Sequence, residues 1–100
     1  MAIGQAAGSI SMKDLGVYIL LCSNKRYYIG STNDLTRRLF EHKNGLVKAT
    51  KYVLPIKLVF FQECAALSEA RRLEYRLKQK KSKIIIDKII QDGYIKFKRA

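Results

Sequence analysis

Two short apolar segments with turn residues between them predict a β-hairpin near the start of the chain. Residues 15–21 are β-branched, aromatic or aliphatic, and residues 27–30 (Tyr-Tyr-Ile-Gly) continue the same pattern. The polar run Ser-Asn-Lys-Arg at residues 23–26 supplies the turn between them. Because opposed residues in a hairpin share one face of the sheet, the pairing register decides which side chains can meet.

A helix is predicted directly after the hairpin, over residues 34–43. Asn33 is a suitable N-cap, and Asp34 favours the positive end of the helix. Arg38 and His42 are four positions apart in this segment. A helix would therefore place both side chains on one face.

The middle of the chain predicts a third strand and a second, longer helix. Residues 46–55 lack a decisive period and are predicted to be a short helix or a loop. Residues 57–61 are apolar enough to predict a strand buried on both faces or nearly so. Ser68 is predicted to cap the helix that follows. Its apolar stripe consists of Ala70, Leu73 and Leu77.

The end of the chain predicts a last helix and a basic tail. Five isoleucines between Ser82 and Gly93 would form the apolar side of this helix, namely Ile84, Ile85, Ile86, Ile89 and Ile90. Residues 94–100 alternate apolar and basic side chains, a pattern that fits an edge strand or a basic arm ordered on binding. We predict one domain over residues 13–93. Residues 1–12, rich in Gly, Ala and Ser, are predicted to be a flexible leader, with Met12 a plausible natural start.

Net charge predicts a polyanionic partner. Twenty Lys and Arg against eight Asp and Glu give a formal charge of +12, concentrated from Arg71 onward. Nucleic acid fits best, because basic side chains gain affinity by releasing counterions from phosphates, whereas a membrane surface also requires an exposed amphipathic helix. A basic surface that is merely well solvated is the simpler alternative. The predicted phosphate contacts are Arg37, Arg71, Arg72, Arg76, Lys78, Lys80 and Lys81.

The cysteines and the hydropathy pattern predict a cytoplasmic protein that is not membrane-bound. Cys22 and Cys64 are isolated, without a CxxC motif or a histidine at ligand spacing, so neither a zinc site nor a disulfide framework is indicated. Both are predicted to be reduced core residues. No apolar run approaches the roughly 18 residues of a membrane span.

Several side chains near the hairpin could together cut a phosphodiester bond. Hydrolysis needs a base for the attacking water and positive charge for the phosphoryl oxygens. Tyr18 and Tyr28 are candidate bases, Arg38 could bind the scissile phosphate, and His42 could relay or position a proton. A free phenol has a pKa of about 10, so keeping one deprotonated near neutral pH takes roughly 4 kcal/mol, part of which nearby cations can supply. Glu74, beside the stripe of the second helix, could hold Mg²⁺.

Each of these residues also has a simpler interpretation. Tyrosines in strands usually serve packing. Arg38 alone would be a solvated helix residue, and His42 alone a cation favoured by the C-terminal end of a helix. Glu74 would normally pair with Arg71 or Lys78 on its own helix. Their joint occurrence favours the catalytic interpretation.

The motifs resemble those of the GIY-YIG nuclease superfamily, over about residues 13–90. The closest similarity is to small stand-alone bacterial domains like the N-terminal nuclease module of the nucleotide-excision-repair excinuclease. The matching positions are Gly16-Val17-Tyr18, Tyr28-Ile29-Gly30-Ser31-Thr32, Asn33-Asp34-Leu35, Arg37-Arg38-Leu39, His42 and Arg72-Leu73-Glu74-Tyr75.

This resemblance implies an α+β (α/β) fold with a small three-stranded antiparallel sheet flanked by helices. It also implies a Mg²⁺- or Mn²⁺-dependent endonuclease in which one motif tyrosine activates water, with a role in DNA repair. Tyr18, Tyr28, Arg38 and Glu74 occupy the functional positions of the family, and His42 stands where a His or Tyr is usual. We expect a monomer that binds DNA rather than RNA.

A shared site sets a condition on the hairpin. A two-residue turn at Asn24-Lys25 would set Tyr28 opposite Leu21, on the face away from Tyr18. A loop of odd length, or a bulge, would set Tyr28 opposite Leu20 and bring both phenols to one side. We predict the second arrangement.

Two departures from the family pattern keep other functions open. Ser31 stands where related repair enzymes often carry a lysine, and no asparagine follows Asn44. One alternative is therefore a catalytically weak or inactive domain that still binds nucleic acid. Another is a protein-interaction domain whose basic face docks an acidic partner.

Overall fold

The computed structural model describes residues 14–95, which fold as a three-stranded antiparallel sheet with three helices. The strands are β1 (Gly16–Leu21), β2 (Tyr27–Thr32) and β3 (Lys57–Glu63). The helices are α1 (Leu35–Lys43), α2 (Leu67–Lys80) and α3 (Lys83–Asp92). β1 is the middle strand, and β2 and β3 are the edges. The predicted fold class is confirmed. The predicted leader and residues 96–100 of the predicted tail lie outside the described residues.

The middle strand separates two apolar clusters. On one face Val17 and Ile19 of β1 pack with Phe60 and with buried residues of α2 and α3. On the other face Tyr18 and Leu20 pack against α1 and the segment that precedes β3. This alternation follows from the pleat, because successive side chains of a strand point to opposite faces. β1 is thus buried on both faces, whereas β3, predicted to be so, is an edge strand in which only Phe60 is buried.

A glycine brings β3 close to β1. Gly16 pairs with Glu63, and a Cβ built on Gly16 would clash with the backbone carbonyl oxygen of Gln62. The pairing also shifts by one residue between Ile19 and Leu20, so β3 bends at that point. β3 therefore ends against the start of β1, where the Cys64 amide donates to the Leu15 carbonyl at 2.9 Å.

Two helix starts differ from the sequence prediction. α1 is capped by Asp34 rather than Asn33, because the Asp34 carboxylate accepts the Arg37 amide at 3.0 Å while the Asn33 oxygen accepts from the Arg37 guanidinium. α2 starts at Leu67, one residue before the predicted cap Ser68. Its N-cap is Ala66, which makes no side-chain cap bond, and the Glu69 carboxylate accepts from the Ala65 amide at 3.0 Å just before the helix.

The isoleucines of α3 divide between core and solvent. The helix follows Ser82 and ends at Gly93, as predicted; Ser82 caps it through the Ile85 amide, and Gly93 takes the left-handed conformation. Ile86 and Ile89 are buried. Ile84 and Ile85 were predicted to join them but are exposed, because a ten-residue helix on one side of a sheet buries a single stripe. The stripe predicted for α2 is confirmed, with Ala70 and Leu77 buried and Leu73 packed against them.

Residues 46–56 form turns and no regular helix. Val47, Thr50 and Ile56 are buried, so this segment covers one face of the sheet. Both cysteines are free thiols and buried, as predicted. Within residues 14–95 no helix is long and apolar enough to cross a membrane.

Replacing Leu77 by Ala should lower the free energy of unfolding by about 2–5 kcal/mol, because the side chain is buried among residues of β1, α2 and α3. Leu46→Ala, the same change at an exposed leucine, should change it by less than about 0.5 kcal/mol. Urea unfolding followed by circular dichroism measures both. Equal losses in the two variants would contradict this description of the core.

Candidate active site

The two motif tyrosines share one face of the hairpin. Tyr18 pairs with Gly30 and Leu20 pairs with Tyr28. The ring centroids of Tyr18 and Tyr28 are 6.3 Å apart. A five-residue loop, closed by the Cys22 amide donating to the Arg26 carbonyl at 2.9 Å, sets this register. Lys25 takes a positive φ of 70° within it. The predicted odd loop and the predicted register are both confirmed.

Gly30 lets the phenol of Tyr18 lie across the edge strand. A Cβ on Gly30 would stand 2.5 Å from the hydroxyl oxygen of Tyr18 and 2.6 Å from its Cζ. No side chain other than hydrogen fits in that space. The glycine therefore lets the Tyr18 hydroxyl lie over β2.

The first helix aims Arg38 and His42 at the same hydroxyl, as predicted from their spacing. The Nε2 of His42 lies 2.9 Å from the Tyr18 oxygen, and the Nε–H of Arg38 donates to that oxygen at 3.4 Å. The imidazole also lies against Tyr28, with 5.1 Å between ring centroids. The four residues thus form one cluster, which we call the phenol cluster.

Burial decides the protonation of the phenol cluster. It raises the pKa of Tyr18 to about 12, although hydrogen bonding to Arg38 acts in the opposite direction. Burial, followed by the positive charge of Arg38, lowers the pKa of His42 to about 4. At neutral pH the phenol of Tyr18 therefore keeps its proton and the imidazole is neutral. Arg38 acts on the Tyr18 pKa in the expected direction, but burial outweighs it.

The protonation states of Tyr18 and His42 indicate which atoms donate and which accept in the hydrogen bonds of the imidazole. Because the neutral imidazole offers an unprotonated nitrogen and the Tyr18 oxygen already accepts from Arg38, we assign the Tyr18 hydroxyl as the donor to Nε2 of His42. The neutral ring must then carry its proton on Nδ1, which lies 2.8 Å from the hydroxyl oxygen of the buried Thr50. Each polar atom in this buried chain has a partner.

The sequence prediction missed two members of this arrangement. Thr50 comes from the irregular segment before β3, where no local pattern distinguishes it. Glu41 could have been found, because it lies three and four positions after Arg38 and Arg37 on the same helix. Its carboxylate accepts from Arg38 at 2.9 Å and from Arg37 at 3.0 Å. These contacts hold the pKa of Glu41 below its usual range.

Glu74 lies at the β2 edge, on the side of the sheet opposite the phenol cluster. One carboxylate oxygen accepts from the Ser31 hydroxyl at 2.6 Å, and the other accepts from the Lys78 ammonium at 2.6 Å. Ser31 directly follows the glycine beneath the Tyr18 ring. The carboxylate is near enough to be one of the charges that raise the pKa of Tyr18, after burial and Tyr28. The ion pair with Lys78 is one of the two pairings that the simpler interpretation predicted.

The donor set at Glu74 fits a water-rich divalent cation. Among residues 14–95 no three His, Cys, Asp or Glu side chains gather as a metal cage. Mg²⁺ commonly takes only one or two protein carboxylates and keeps several waters. Glu74 is about one-fifth exposed and offers such a carboxylate. The residues present are therefore compatible with the cation that the family resemblance implies.

Two clefts lie near this site. The first, of about 280 Å³, runs between the start of α1 and the start of α2 and has polar walls. Its lining residues are Ser31, Thr32, Asn33, Arg37, Arg38, Leu67 and Arg71. The second, of about 340 Å³, lies between β2 and the junction of α2 with α3. Its lining residues are Tyr27, Tyr28, Ile29, Leu77, Lys78, Lys81, Ser82, Lys83 and Ile86.

The predicted phosphate contacts divide between these clefts. Arg37 and Arg71 line the first together with Arg38, and Lys78 and Lys81 line the second. Lys83, which the prediction did not include, adds a third ammonium to the second cleft. The remaining predicted contacts are exposed on α2 but line neither cleft, namely Arg72, Arg76 and Lys80.

Comparison with known proteins places this arrangement in a family. The model of the GIY-YIG catalytic domain matches residues 14–88. A UPF0213 protein of Streptococcus pneumoniae is 44% identical over 66 residues, which are 65% of this chain and 67% of the relative. A UPF0213 protein of Halobacterium salinarum is 42% identical over 64 residues, 63% of this chain and 83% of the relative. A solution NMR structure of a UPF0213 protein from Bacillus halodurans is 33% identical, covers 75% of this chain and 80% of its own, and has a TM-score of 0.49.

The buried imidazole should make stability depend on pH. The pKa of His42 falls from 6.5 in the unfolded chain to about 4 in the folded protein, so the unfolded chain takes up the proton first as the pH falls. The neutral His42 ring therefore contributes fully to the free energy of unfolding above pH 6.5. This contribution is lost progressively between pH 6.5 and pH 4, and amounts to roughly 3 kcal/mol in all. The His42→Gln variant should lack this pH-dependent loss of stability. Urea unfolding of both proteins at pH 7, 5.5 and 4 measures it, and an imidazole that titrates near pH 6.5 by NMR would contradict it.

Gly30→Ala should displace the Tyr18 ring, because the added methyl group would stand 2.5 Å from the hydroxyl oxygen. We expect a loss of stability of about 1–3 kcal/mol and an imidazole no longer bonded to the phenol. Chemical shifts of the His42 ring report the second effect. Ser31→Ala, a change at the neighbouring position without a clash, is the control and should leave those shifts in place.

Proposed function

The chain belongs to the GIY-YIG catalytic domain family, and from that premise we propose that it is a metal-dependent endonuclease that hydrolyses phosphodiester bonds. We propose nucleic acid as the substrate, DNA rather than RNA, by the similarity to the nuclease module of the nucleotide-excision-repair excinuclease. The observation that carries this proposal is the convergence of the phenol cluster and Glu74 on the two sides of the β2 edge. Segments far apart in sequence supply these groups, and simple packing does not require them to flank the same strand.

Arg38 is the proposed ligand of the scissile phosphate. It lines the first cleft, where Arg37 and Arg71 also contribute guanidinium groups. Glu41 and Tyr18 fix the orientation of its side chain. A permanently charged planar fork held in place can stabilise charge that develops on phosphoryl oxygens without reorganising during the reaction.

Tyr28 is the proposed base, and Tyr18 a positioning residue. A general base must lie within hydrogen-bond reach of the attacking water. Tyr28 is partly exposed, whereas Tyr18 is only 1% exposed. We assign Tyr18 the task of holding Arg38 and His42 in register.

His42 positions the phenol of Tyr18 rather than taking its proton. The pKa of Tyr18 is about 12 and that of His42 about 4. Burial thus raises the pKa of the phenol and lowers that of the imidazole, so transfer of the proton from Tyr18 to His42 is strongly unfavourable. We therefore propose that the neutral imidazole acts as a fixed acceptor, tied to Thr50 on its other side.

Glu74 is the proposed ligand of Mg²⁺ or Mn²⁺. A bound divalent cation would polarise the phosphoryl group and lower the pKa of its coordinated water. The Ser31 hydroxyl holds one oxygen of the carboxylate and so fixes its orientation.

Cutting of labelled DNA in the presence of Mg²⁺ tests the proposal. We expect Tyr28→Phe, Arg38→Ala and Glu74→Gln each to lose at least about 100-fold in rate, while DNA binding persists. Tyr18→Phe should lose about 10-fold, because the phenol acts through Arg38. Matched controls are Tyr52→Phe and Arg26→Ala, both at exposed positions, which should cut normally.

Three results would overturn this proposal or its assignment of residues. DNA binding without cutting in any divalent cation would favour the catalytically inactive binding domain. Binding that is equally strong at low and moderate salt would favour the protein-interaction domain, because phosphate contacts weaken as salt rises. Cutting that survives all three substitutions would place the chemistry elsewhere.

A further inference from the structure

Lys78 stands between two sites. Its ammonium lies 2.6 Å from the Glu74 carboxylate, and its side chain also lines the second cleft with Tyr28, Lys81 and Lys83. The side chain is about half exposed. The proposed function assigns Glu74 to a divalent cation and the basic surface to nucleic acid, so Lys78 touches both.

We infer that Lys78 is an exchangeable counter-ion, which neutralises Glu74 in the metal-free protein and turns to a substrate phosphate in the second cleft when a divalent cation takes its place. This inference rests on the proposed function. It adds a coupling between the two binding events that the function alone does not require.

The exchange is physically feasible. A half-exposed ion pair is worth at most about a five-fold factor in an equilibrium constant, so a divalent cation can displace the ammonium. The lysine side chain is flexible and its ammonium is a compact charge. The Ser31 hydroxyl stays on the other carboxylate oxygen, so Glu74 keeps its orientation while its partner changes.

Release of Lys78 also changes the charge that the cleft offers. Lys83 is held near the Asp87 carboxylate at 3.7 Å and over the Tyr27 ring at 4.8 Å. Lys81 ends α2 in the left-handed conformation. While Lys78 is paired with Glu74 its charge is cancelled, and once released it adds one full positive charge to this wall.

A metal-free double-mutant cycle tests the exchange. DNA binding is measured by fluorescence anisotropy in EDTA for the wild type, Glu74→Gln, Lys78→Met and the double variant. Glutamine keeps the shape of the carboxylate side chain but cannot hold the ammonium by charge. Freed in this way, Lys78 should tighten DNA binding by about five-fold and steepen the slope of log K against log salt by roughly 0.7–0.9.

In the Lys78→Met background the same Glu74→Gln change should tighten binding by less than about two-fold. Glu63→Gln removes an equal charge at the end of β3 and should leave the salt slope unchanged. Lys78→Arg keeps the charge and should restore the effect of Glu74→Gln. If Glu74→Gln tightens DNA binding by the same factor in the Lys78→Met background as in the wild type, the inference is wrong.

Metal binding provides a second test of the exchange. Mn²⁺ titrated into the DNA-free protein and followed by electron paramagnetic resonance should bind about five-fold more tightly to Lys78→Met than to the wild type. Lys88→Met, which removes a helical ion pair with Asp92, should bind like the wild type. Equal or weaker Mn²⁺ binding by Lys78→Met would make Lys78 a simple orienting residue of Glu74 and overturn the exchange. If the wild type still cuts DNA when Mn²⁺ binding fails to improve in Lys78→Met, the proposed nuclease function stands and only the exchange is wrong. If neither the wild type nor Lys78→Met binds Mn²⁺, the proposed function and the exchange are both wrong.

Discussion

The hydrogen bonds of the Tyr18 hydroxyl are the constraint on which the site depends. This phenol comes from the middle strand, His42 and Arg38 come from α1, and Thr50 comes from the irregular segment before β3. Leaving Tyr18, His42 or Thr50, the buried members, without a partner would cost about 1–3 kcal/mol. The fold therefore has one favourable way to dock α1 and that segment on the sheet, and this docking sets the direction of Arg38.

The two motif glycines are needed because a neighbouring group lies close to each of them, and not because they allow a positive φ. Neither Gly16 nor Gly30 takes a positive φ; each lies at a point where a Cβ would collide with a neighbour. At Gly16 that neighbour is the backbone of β3, and at Gly30 it is the Tyr18 hydroxyl. Gly16 thus allows β3 to pair closely with β1, and Gly30 allows the Tyr18 phenol to lie over the edge strand β2. A motif of glycines and tyrosines follows directly from this geometry.

The sequence predicted the elements and the cluster better than the contacts between segments. Arg38 and His42 could be placed because helical spacing is local, and the register of Tyr28 could be deduced because only one of two registers allows a shared site. Thr50 could not, since its position depends on how residues 46–56 fold over the sheet. The wrong assignment of burial to β3 has the same origin. Apolar content in a strand does not reveal whether it is central or at the edge, and strand order is a tertiary property.

The charge of the chain alone would suit a binding domain, so the arrangement within the site is what favours catalysis. Exposed arginines and lysines on α2 and α3 would hold phosphates without any buried polar chain. Burying the phenol, the imidazole and the Thr50 hydroxyl is tolerated only because each is bonded, and it yields no additional contact with a polyanion. What it yields is one guanidinium with a fixed direction, next to an accessible phenol and across the strand edge from a carboxylate. Transition-state stabilisation requires such fixed placement, and sequence-independent binding does not.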